Sequence, residues 1–280
     1  MSMSSSEVLL EKRGRRAYIT LNRPDRLNAI NDTLPVQLAA AVEQCAIDPA
    51  VRVIILQGAG KGFCGGYDLQ RYAESKGTNP GWQDSTKGPW DPLEDYVMMR
   101  RNTDLFMSLF RVLKPVLCKV HGSGAVAGGS DIALCADLII MSHTAYIGYP
   151  PARVWGCPTT AHWVNKVGPA NAKRMLLTGD VINGTEAHRM GLAASVVAED
   201  MLDAEVERWA AKLEKTPLNQ LAMHKLLINT AIDQQGLNVQ QTLATLFDGI
   251  ARHTKEGAGF KALAEHKGWK YAVSQRDSKL

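Results

Sequence analysis

The chain has 280 residues with 32 basic and 28 acidic side chains, which gives a net charge of +4 at pH 7. This charge and a hydrophobic content of 45% are typical of a globular protein and give no indication of nucleic-acid binding. The five cysteines are odd in number and contain no CxxC pair, so neither a disulfide framework nor a metal site is indicated. Residues 1–20 lack the apolar run of a signal peptide, and no segment has the length and apolarity of a membrane span. We therefore expect a cytoplasmic protein that neither inserts into a membrane nor binds nucleic acid.

The N-terminal part of the chain alternates strand and helix patterns. Residues 17–21 predict a strand, and Asn31 or Asp32 can cap a helix that runs to about Cys45. The apolar run at 51–57 is continuous rather than alternating, which is typical of a strand buried on both faces of a parallel sheet.

Two glycine-rich turns follow two predicted strands. The first turn, at 58–69, follows the strand at 51–57, and the second, at 121–134, follows the apolar run 115–120. Glycine is used where the backbone must come close to another group or adopt a positive φ. Two such turns can each present a backbone N–H to one ligand atom, although they can also be simple tight exits from the strands.

Residues 71–93 are rich in glycine and proline and predict an irregular insertion of the kind that forms lids or binding loops. Helix returns over about 94–113. The acids at the end of the insertion, Asp91, Glu94 and Asp95, could approach a ligand, but ordinary capping of the helix is the simpler explanation.

The remainder of the chain changes from mixed to helical structure. Strands are predicted at 137–141 and 145–147, followed by mostly helical sequence broken by a short strand at 194–197. Residues 200–275 predict three or four amphipathic helices. An α/β core followed by a helical region fits this order of elements.

Six segments in chain order carry a family resemblance. They are LNRP (21–24), LNAI (27–30), GKGFCGGYDL (60–69), KPV (114–116), AGGSD (127–131) and LLTGD (176–180). Together they resemble the crotonase (enoyl-CoA hydratase/isomerase) superfamily over about residues 8–260.

The resemblance implies an architecture and a ligand. The fold would be a crotonase-type spiral of ββα units over residues 1–198, followed by a helical C-terminal trimerisation region at 199–280. Assembly would be as a homotrimer or a dimer of trimers. The substrate would be an acyl-CoA thioester, with coenzyme A entering as part of the substrate and no separate cofactor or metal.

The resemblance also implies catalytic residues. The backbone N–H groups of Tyr67 and Gly128 would form an oxyanion hole for the thioester oxygen, which gains negative charge as an enolate forms. Asp131 would handle the attacking water, in a position where the family's hydratases often carry a glutamate. A carboxylate in the first turn of a helix also interacts favourably with the helix dipole, so Asp131 has a structural explanation as well.

Matched segments further imply contacts to coenzyme A. One set lies near the adenine and phosphates and the other along the pantetheine and thioester. These candidate binding residues are Arg26, Leu27 and Ala29 in the first set, and Asp68, Leu69 and Gln70 in the second. Arg26 suits this place because guanidinium groups bind phosphate well.

One departure from the family pattern affects the predicted chemistry. The family's second glutamate follows a proline just after a strand, and here that position falls on Pro151 or Ala152, neither of which is a carboxylate. Tyr149 and Arg153 are polar neighbours, for which packing and ion pairing are the simpler roles. An enoyl-CoA hydratase remains the leading hypothesis. The alternatives are an isomerase, hydrolase or decarboxylase that uses a single carboxylate, and a non-catalytic acyl-CoA binder.

Overall fold

The computed structural model describes residues 6–74 and 90–278. Within these ranges the chain forms nine β-strands. In chain order they are β1 (Val8–Arg13), β2 (Arg16–Leu21), β3 (Val53–Gly58), β4 (Val116–Val120), β5 (Ala125–Val126), β6 (Leu138–Ser142), β7 (Tyr146–Gly148), β8 (Val181–Asn183) and β9 (Ser195–Val197).

The main sheet has six strands in the order β1-β2-β3-β4-β6-β9, and β5, β7 and β8 form a smaller sheet. Only β1 and β2 pair antiparallel in the main sheet. All four apolar side chains of β3 from Val53 to Leu56 are fully buried, as its continuous apolar pattern predicts. Because β3 and β4 are parallel neighbours, the glycine-rich turns that follow them lie at the same edge of the sheet.

Eleven α-helices occur in the same described ranges. They are α1 (Leu34–Ile47), α2 (Pro92–Phe106), α3 (Ser108–Arg111), α4 (Gly128–Leu134), α5 (Trp163–Thr178), α6 (Gly184–Arg189), α7 (Leu202–Glu214), α8 (Leu218–Gln234), α9 (Leu237–His253), α10 (Lys255–Lys267) and α11 (Trp269–Asp277). None of them has the length and apolar character needed to cross a membrane.

Helical structure borders the segment that was predicted as an irregular insertion at about 71–93. Gln70–Glu74 forms a π-helix, and α2 begins at Pro92. Asp91 caps α2 by accepting hydrogen bonds from the backbone N–H groups of Leu93 and Glu94, which confirms the capping explanation for this acid. The rest of the predicted insertion, residues 75–89 with Trp82, lies outside the described residues.

The C-terminal region contains five helices, α7 to α11, rather than three or four. The first of them packs its apolar face on the main sheet, with Leu202 and Val206 in one cluster with Val53 and Ile55. The predicted division of the chain at residue 198 stays a prediction. The strand β8 was not predicted, because three residues are too few to show a periodic pattern.

Candidate active site

The two glycine-rich turns are joined by backbone hydrogen bonds. The Cys64 N–H donates to the Gly124 carbonyl at 3.0 Å, and the Val126 N–H donates to the Cys64 carbonyl at 3.0 Å. A Cβ on Gly129 would lie 2.2 Å from the carbonyl oxygen of Cys64, so a side chain there would separate the turns. Glycine at this position is therefore required by close approach of the two backbones.

Tyr67 is held in place by a single bridge to Ile30. The Ile30 N–H donates to the Gly66 carbonyl at 2.8 Å, and the Asp68 N–H donates to the Ile30 carbonyl at 3.0 Å. These two hydrogen bonds use the Gly66 carbonyl and the Asp68 N–H. The Tyr67 N–H, which lies between them in the chain, is directed away from Ile30. Among the described residues, it has no hydrogen-bond acceptor.

Gly128 is the first residue of α4, so its N–H has no partner within the helix. It also has no acceptor elsewhere in the described part of the chain. Ala127, immediately before it, has φ +54° and ψ −129°, a conformation that costs free energy for a residue with a side chain. A Cβ on Gly66 would lie 3.2 Å from the Gly128 nitrogen, which shows how closely the two turns bring their free N–H groups together.

A cavity of about 580 Å³ opens in front of these N–H groups. This size is in the range of small-molecule and cofactor sites. Its lining includes Tyr67, Leu69, Gly128, Tyr149, Trp155 and Asp248. The cavity therefore combines two unpaired backbone donors and aromatic walls with three carboxylates, those of Asp32, Asp248 and Asp277.

Asp131 lies behind the cavity wall and is only 3% exposed. Its Oδ1 accepts a hydrogen bond from the Thr160 hydroxyl at 2.7 Å and from the Thr160 N–H at 3.4 Å. Burial raises the pKa of Asp131 to about 7, and the bonds from Thr160 oppose this shift. The structure thus places Asp131 one turn from Gly128 but does not include it in the lining.

The residues predicted to bind coenzyme A differ in their exposure and in their contacts. Leu69 lines the cavity, and the Arg26 guanidinium donates to the Gln70 side chain at an exposed site. Asp68 is buried and receives a hydrogen bond from Arg23 at 3.0 Å. Leu27 is partly exposed and Ala29 lies beside it on the same loop.

Sequence reasoning missed Asn28, which fixes this loop. Asn28 is fully buried with φ +55°, and its Nδ2 donates to the carbonyl oxygens of Ala59, Gly62 and Phe63 at 2.9–3.0 Å. It therefore ties the loop of Arg26 to the first glycine-rich turn. Asparagine tolerates the left-handed conformation better than most residues, which is the signal that could have identified it.

A second missed group lies on α9. Asp248 and Arg252 both line the cavity, and the Arg252 guanidinium pairs with the carboxylates of Asp248 and of Asp95 on α2. All three side chains are buried. The remaining oxygen of Asp248 accepts the Cys157 N–H at 3.1 Å. No spacing rule connects Asp95 with Arg252, so local sequence patterns could not reveal this cluster.

The other polar candidates have structural roles. Arg153 pairs with Asp277 and donates to the Thr178 carbonyl, as the ion-pairing explanation predicted. His162 is buried, and burial lowers its pKa to about 3, which keeps it neutral. The Trp90 ring stacks on His253 and donates to Asp95, so it fastens α2 to α9.

Comparisons with known proteins agree with this fold. A family model described as enoyl-CoA hydratase/isomerase matches residues 11–272. The chain is 32% identical over 249 residues to a probable enoyl-CoA hydratase of Rhizobium meliloti (strain 1021), covering 86% of this chain and 89% of that protein. It is 33% identical over 223 residues to 1,2-epoxyphenylacetyl-CoA isomerase of Escherichia coli (strain K12), covering 76% and 78%. A crystal structure of enoyl-CoA hydratase from Mycobacterium smegmatis superposes with a TM-score of 0.90 at 43% identity, covering 99% of this chain and 94% of that one.

The parallel sheet, the paired glycine turns and their free N–H groups define an enzyme of the crotonase type. The chain belongs to the enoyl-CoA hydratase/isomerase family, which confirms the resemblance inferred from the motifs. Membership confirms a hydratase-like enzyme of acyl-CoA thioesters, and it leaves the exact reaction open. The roles of Tyr67, Gly128 and Asp131 stay predictions.

Proposed function

We propose that this protein hydrates enoyl-CoA thioesters, adding water across the C2=C3 double bond through a thioester enolate. The observation that carries the proposal is the pair of unpaired N–H groups, on Tyr67 and Gly128, at the wall of one cavity. Two preorganised donors at a developing oxyanion stabilise it strongly, and loss of one such donor typically costs about 2.7–4 kcal/mol of transition-state stabilisation.

Asp131 would hold the attacking water in this reaction. Its carboxyl group has a pKa of about 7, close to the value that suits an acid or base at neutral pH. Coenzyme A would lie across the rim formed by Arg26, Leu27 and Ala29, with its pantetheine beside Asp68, Leu69 and Gln70. The exposed guanidinium of Arg26 supports a phosphate contact at this rim.

Hydration of crotonyl-CoA by the purified protein tests this proposal. We expect turnover above the uncatalysed rate, with formation of the 3-hydroxyacyl product. Tight binding of a coenzyme A thioester without any turnover would contradict the hydratase assignment.

An isomerase is the second candidate. It is favoured by the absence of a carboxylate at Pro151 and Ala152 and by the similarity to a protein named as a 1,2-epoxyphenylacetyl-CoA isomerase. Incubation with a panel of acyl-CoA thioesters, followed by mass spectrometry and proton NMR, distinguishes hydration, isomerisation, hydrolysis and decarboxylation by their products. A binder without catalysis would show no product with any member, and its Asp131→Asn variant would behave as wild type.

We also propose that the protein forms homotrimers, alone or paired as hexamers. Helices α8 and α9 expose large apolar side chains, which supports a self-association surface. They are Met223, Leu226, Leu227, Ile228, Val239, Leu243, Leu246, Phe247 and Ile250. Sedimentation equilibrium gives the oligomeric state directly, and Phe247→Asp is expected to shift it toward the monomer.

We further propose a cytoplasmic location. The five cysteines are free, and four of them are buried, which supports a reducing compartment. Fractionation of cells that express a tagged copy tests this, and recovery outside the cytoplasmic fraction would contradict it.

A further inference from the structure

The helix α9 has an inverted distribution of side chains. Its buried face carries the polar residues Gln241, Thr245, Asp248 and Arg252, whereas large apolar residues such as Phe247 are exposed. A surface helix ordinarily buries its apolar face. Buried charges are costly unless they are paired and hydrogen-bonded, so this polar inner face calls for a functional explanation.

Asp248 reaches the segment where the family's second carboxylate is absent. That segment is the turn that begins at Tyr149 and runs through Pro151 and Ala152. The Asp248 Oδ1 accepts the N–H of Cys157 at 3.1 Å, and the Tyr149 hydroxyl donates to the carbonyl of the same Cys157 at 2.8 Å. The Asp248 carboxylate and the Tyr149 hydroxyl also lie beside Gly156. A Cβ placed on Gly156 would be 3.5 Å from Asp248 Oδ1 and 3.3 Å from the Tyr149 oxygen.

We infer that Asp248 supplies the second carboxylate of this active site, from α9 instead of from the turn after β7. This inference rests on the proposed function. Asp248 lines the cavity that holds the two free N–H groups, whereas Asp95, the other partner of Arg252, does not. Asp32 and Asp277 also line the cavity, but both are partly exposed and pair with Arg71 and Arg153. Asp248 is instead buried beside Gly156, so we assign it, among the three lining carboxylates, the contact with a bound acyl group.

The charged groups around Asp248 are suited to a carboxyl group that accepts and releases a proton during the reaction. Burial and the nearby carboxylate of Asp95 favour the neutral form of Asp248, whereas Arg252 on the same helix and the Cys157 N–H favour the ionised carboxylate. The net result raises the pKa of Asp248 above its usual value. Opposing influences of this kind allow one carboxyl group both to accept and to release a proton during turnover.

The step that follows from this arrangement balances with one water molecule. The water oxygen bonds to C3, and one of its O–H bonds breaks, with that proton passing to the Asp248 carboxylate. The electron pair of the C2=C3 bond moves into the thioester as an enolate, whose oxygen the N–H groups of Tyr67 and Gly128 stabilise. Asp248 then gives the proton to C2 and is ionised again. The other O–H bond of the water stays intact and remains in the product as the hydroxyl.

Asp248→Asn tests this assignment, with Asp137→Asn as a matched control. Asp137 also accepts a backbone N–H, from Val116 at 2.7 Å, and also pairs with a buried cation, Lys225, but it does not line the cavity. We expect Asp248→Asn to lower kcat for crotonyl-CoA hydration by about 10²–10⁴-fold, with KM changed by less than about threefold. Asp137→Asn should keep the kcat of wild type, even where its melting temperature falls.

Exchange of the C2 protons of butyryl-CoA with D₂O gives a second readout that does not depend on hydration. If the wild type hydrates crotonyl-CoA and the Asp248→Asn variant has the same kcat, the inference about Asp248 is overturned and the proposed function stands. If the wild type exchanges C2 protons but does not hydrate crotonyl-CoA, the hydratase assignment is overturned. Loss of that exchange in Asp248→Asn would still support the role of Asp248 in proton transfer. If neither activity occurs in the wild type, both proposals are wrong.

Asp248→Glu keeps the assignment testable if Asp248→Asn does not fold. It retains a carboxylate but moves it by one methylene. We expect reduced but measurable kcat and an altered pH profile for this variant. A wild-type kcat together with a wild-type pH profile would overturn the inference, since displacement of the reacting carboxylate must change proton transfer.

Discussion

The carboxyl group of Asp131 accepts two hydrogen bonds from Thr160, one from its hydroxyl at 2.7 Å and one from its backbone N–H at 3.4 Å. Thr160 in turn is held by α9, because its carbonyl accepts a hydrogen bond from the Gln241 side chain at 3.1 Å. One threonine therefore joins the helix of the oxyanion hole to the helix that carries Asp248.

Thr160→Val is expected to raise the pKa of Asp131. The hydroxyl bond stabilises the ionised carboxylate, so its loss moves the pKa of Asp131 upward from about 7. Less Asp131 is then ionised at neutral pH, and the acidic limb of the pH–rate profile should shift to higher pH. Thr103→Val is the control, because Thr103 is buried and bonds to Thr159, not to Asp131. An unshifted profile in Thr160→Val would show that Asp131 does not titrate in the reaction.

Asp131→Asn is expected to stabilise the fold at high pH more than at low pH. The folded pKa of about 7 lies above the unfolded value of 3.8, so the native state binds the proton more tightly. Wild-type stability should therefore fall as pH rises from about 4 through 7, whereas the neutral amide has no such dependence. We compare the free energy of unfolding of the variant with that of the wild type at each pH. The variant minus wild-type difference should be about 1–3 kcal/mol larger at pH 8 than at pH 4. Urea unfolding at the two pH values measures this, and an equal difference at both would contradict the raised pKa.

Gly128→Ala should damage the oxyanion hole. A Cβ on Gly128 would lie 2.9 Å from Ile30 Cδ1 and 3.0 Å from Tyr67 Cδ2, so the Tyr67 side chain must move. Displacement of one donor is expected to lower kcat by about 10²–10³-fold. Gly259→Ala on α10 is the matched control, since no atom lies within 4 Å of its Cβ position. It should keep full activity and gain up to about 1 kcal/mol of stability, and steady-state kinetics with thermal unfolding separates the two effects.

Arg252→Met should destabilise the protein because it leaves the buried carboxylates of Asp95 and Asp248 without this cation. Removal of one partner from a buried ion pair typically costs about 3–5 kcal/mol. The pKa of Asp248 should rise further, so the loss of stability should be smaller at pH 5 than at pH 8. Arg208→Met, which breaks an exposed pair with Glu205, should change the free energy of unfolding by less than about 1 kcal/mol. If both variants lose a similar free energy of unfolding, Arg252 does not stabilise the buried carboxylates of Asp95 and Asp248 more than an exposed ion pair would.

Sequence patterns predicted those parts of the site that are local in the chain. The strand before the first turn is a continuous apolar run and the strand before the second is mostly apolar. The turns contain the glycines that their close approach requires, so both turns were predictable from short segments. The position of Gly128 at the start of a helix was predictable for the same reason.

The parts that could not be predicted depend on contacts between distant segments. Asp248 looks like an ordinary acid on an amphipathic helix until the fold shows that its face of α9 is buried against the cavity. The sequence did show that Pro151 and Ala152 lack a carboxylate, but it could not show which distant side chain reaches that place. Asn28 was missed likewise, because the carbonyls it binds follow about thirty residues later in the chain.

The cavity wall has a consequence for biosynthesis. Both glycine turns are present once a growing polypeptide has reached β9, but Asp248 and Arg252, together with Trp269 on α11, are added only with the final helices. A chain that ends between α8 and α9 carries both oxyanion donors but lacks the lining residues Asp248, Arg252 and Trp269. The oxyanion donors and the part of the cavity wall formed by α9 and α11 therefore come from separately synthesised stretches of the chain.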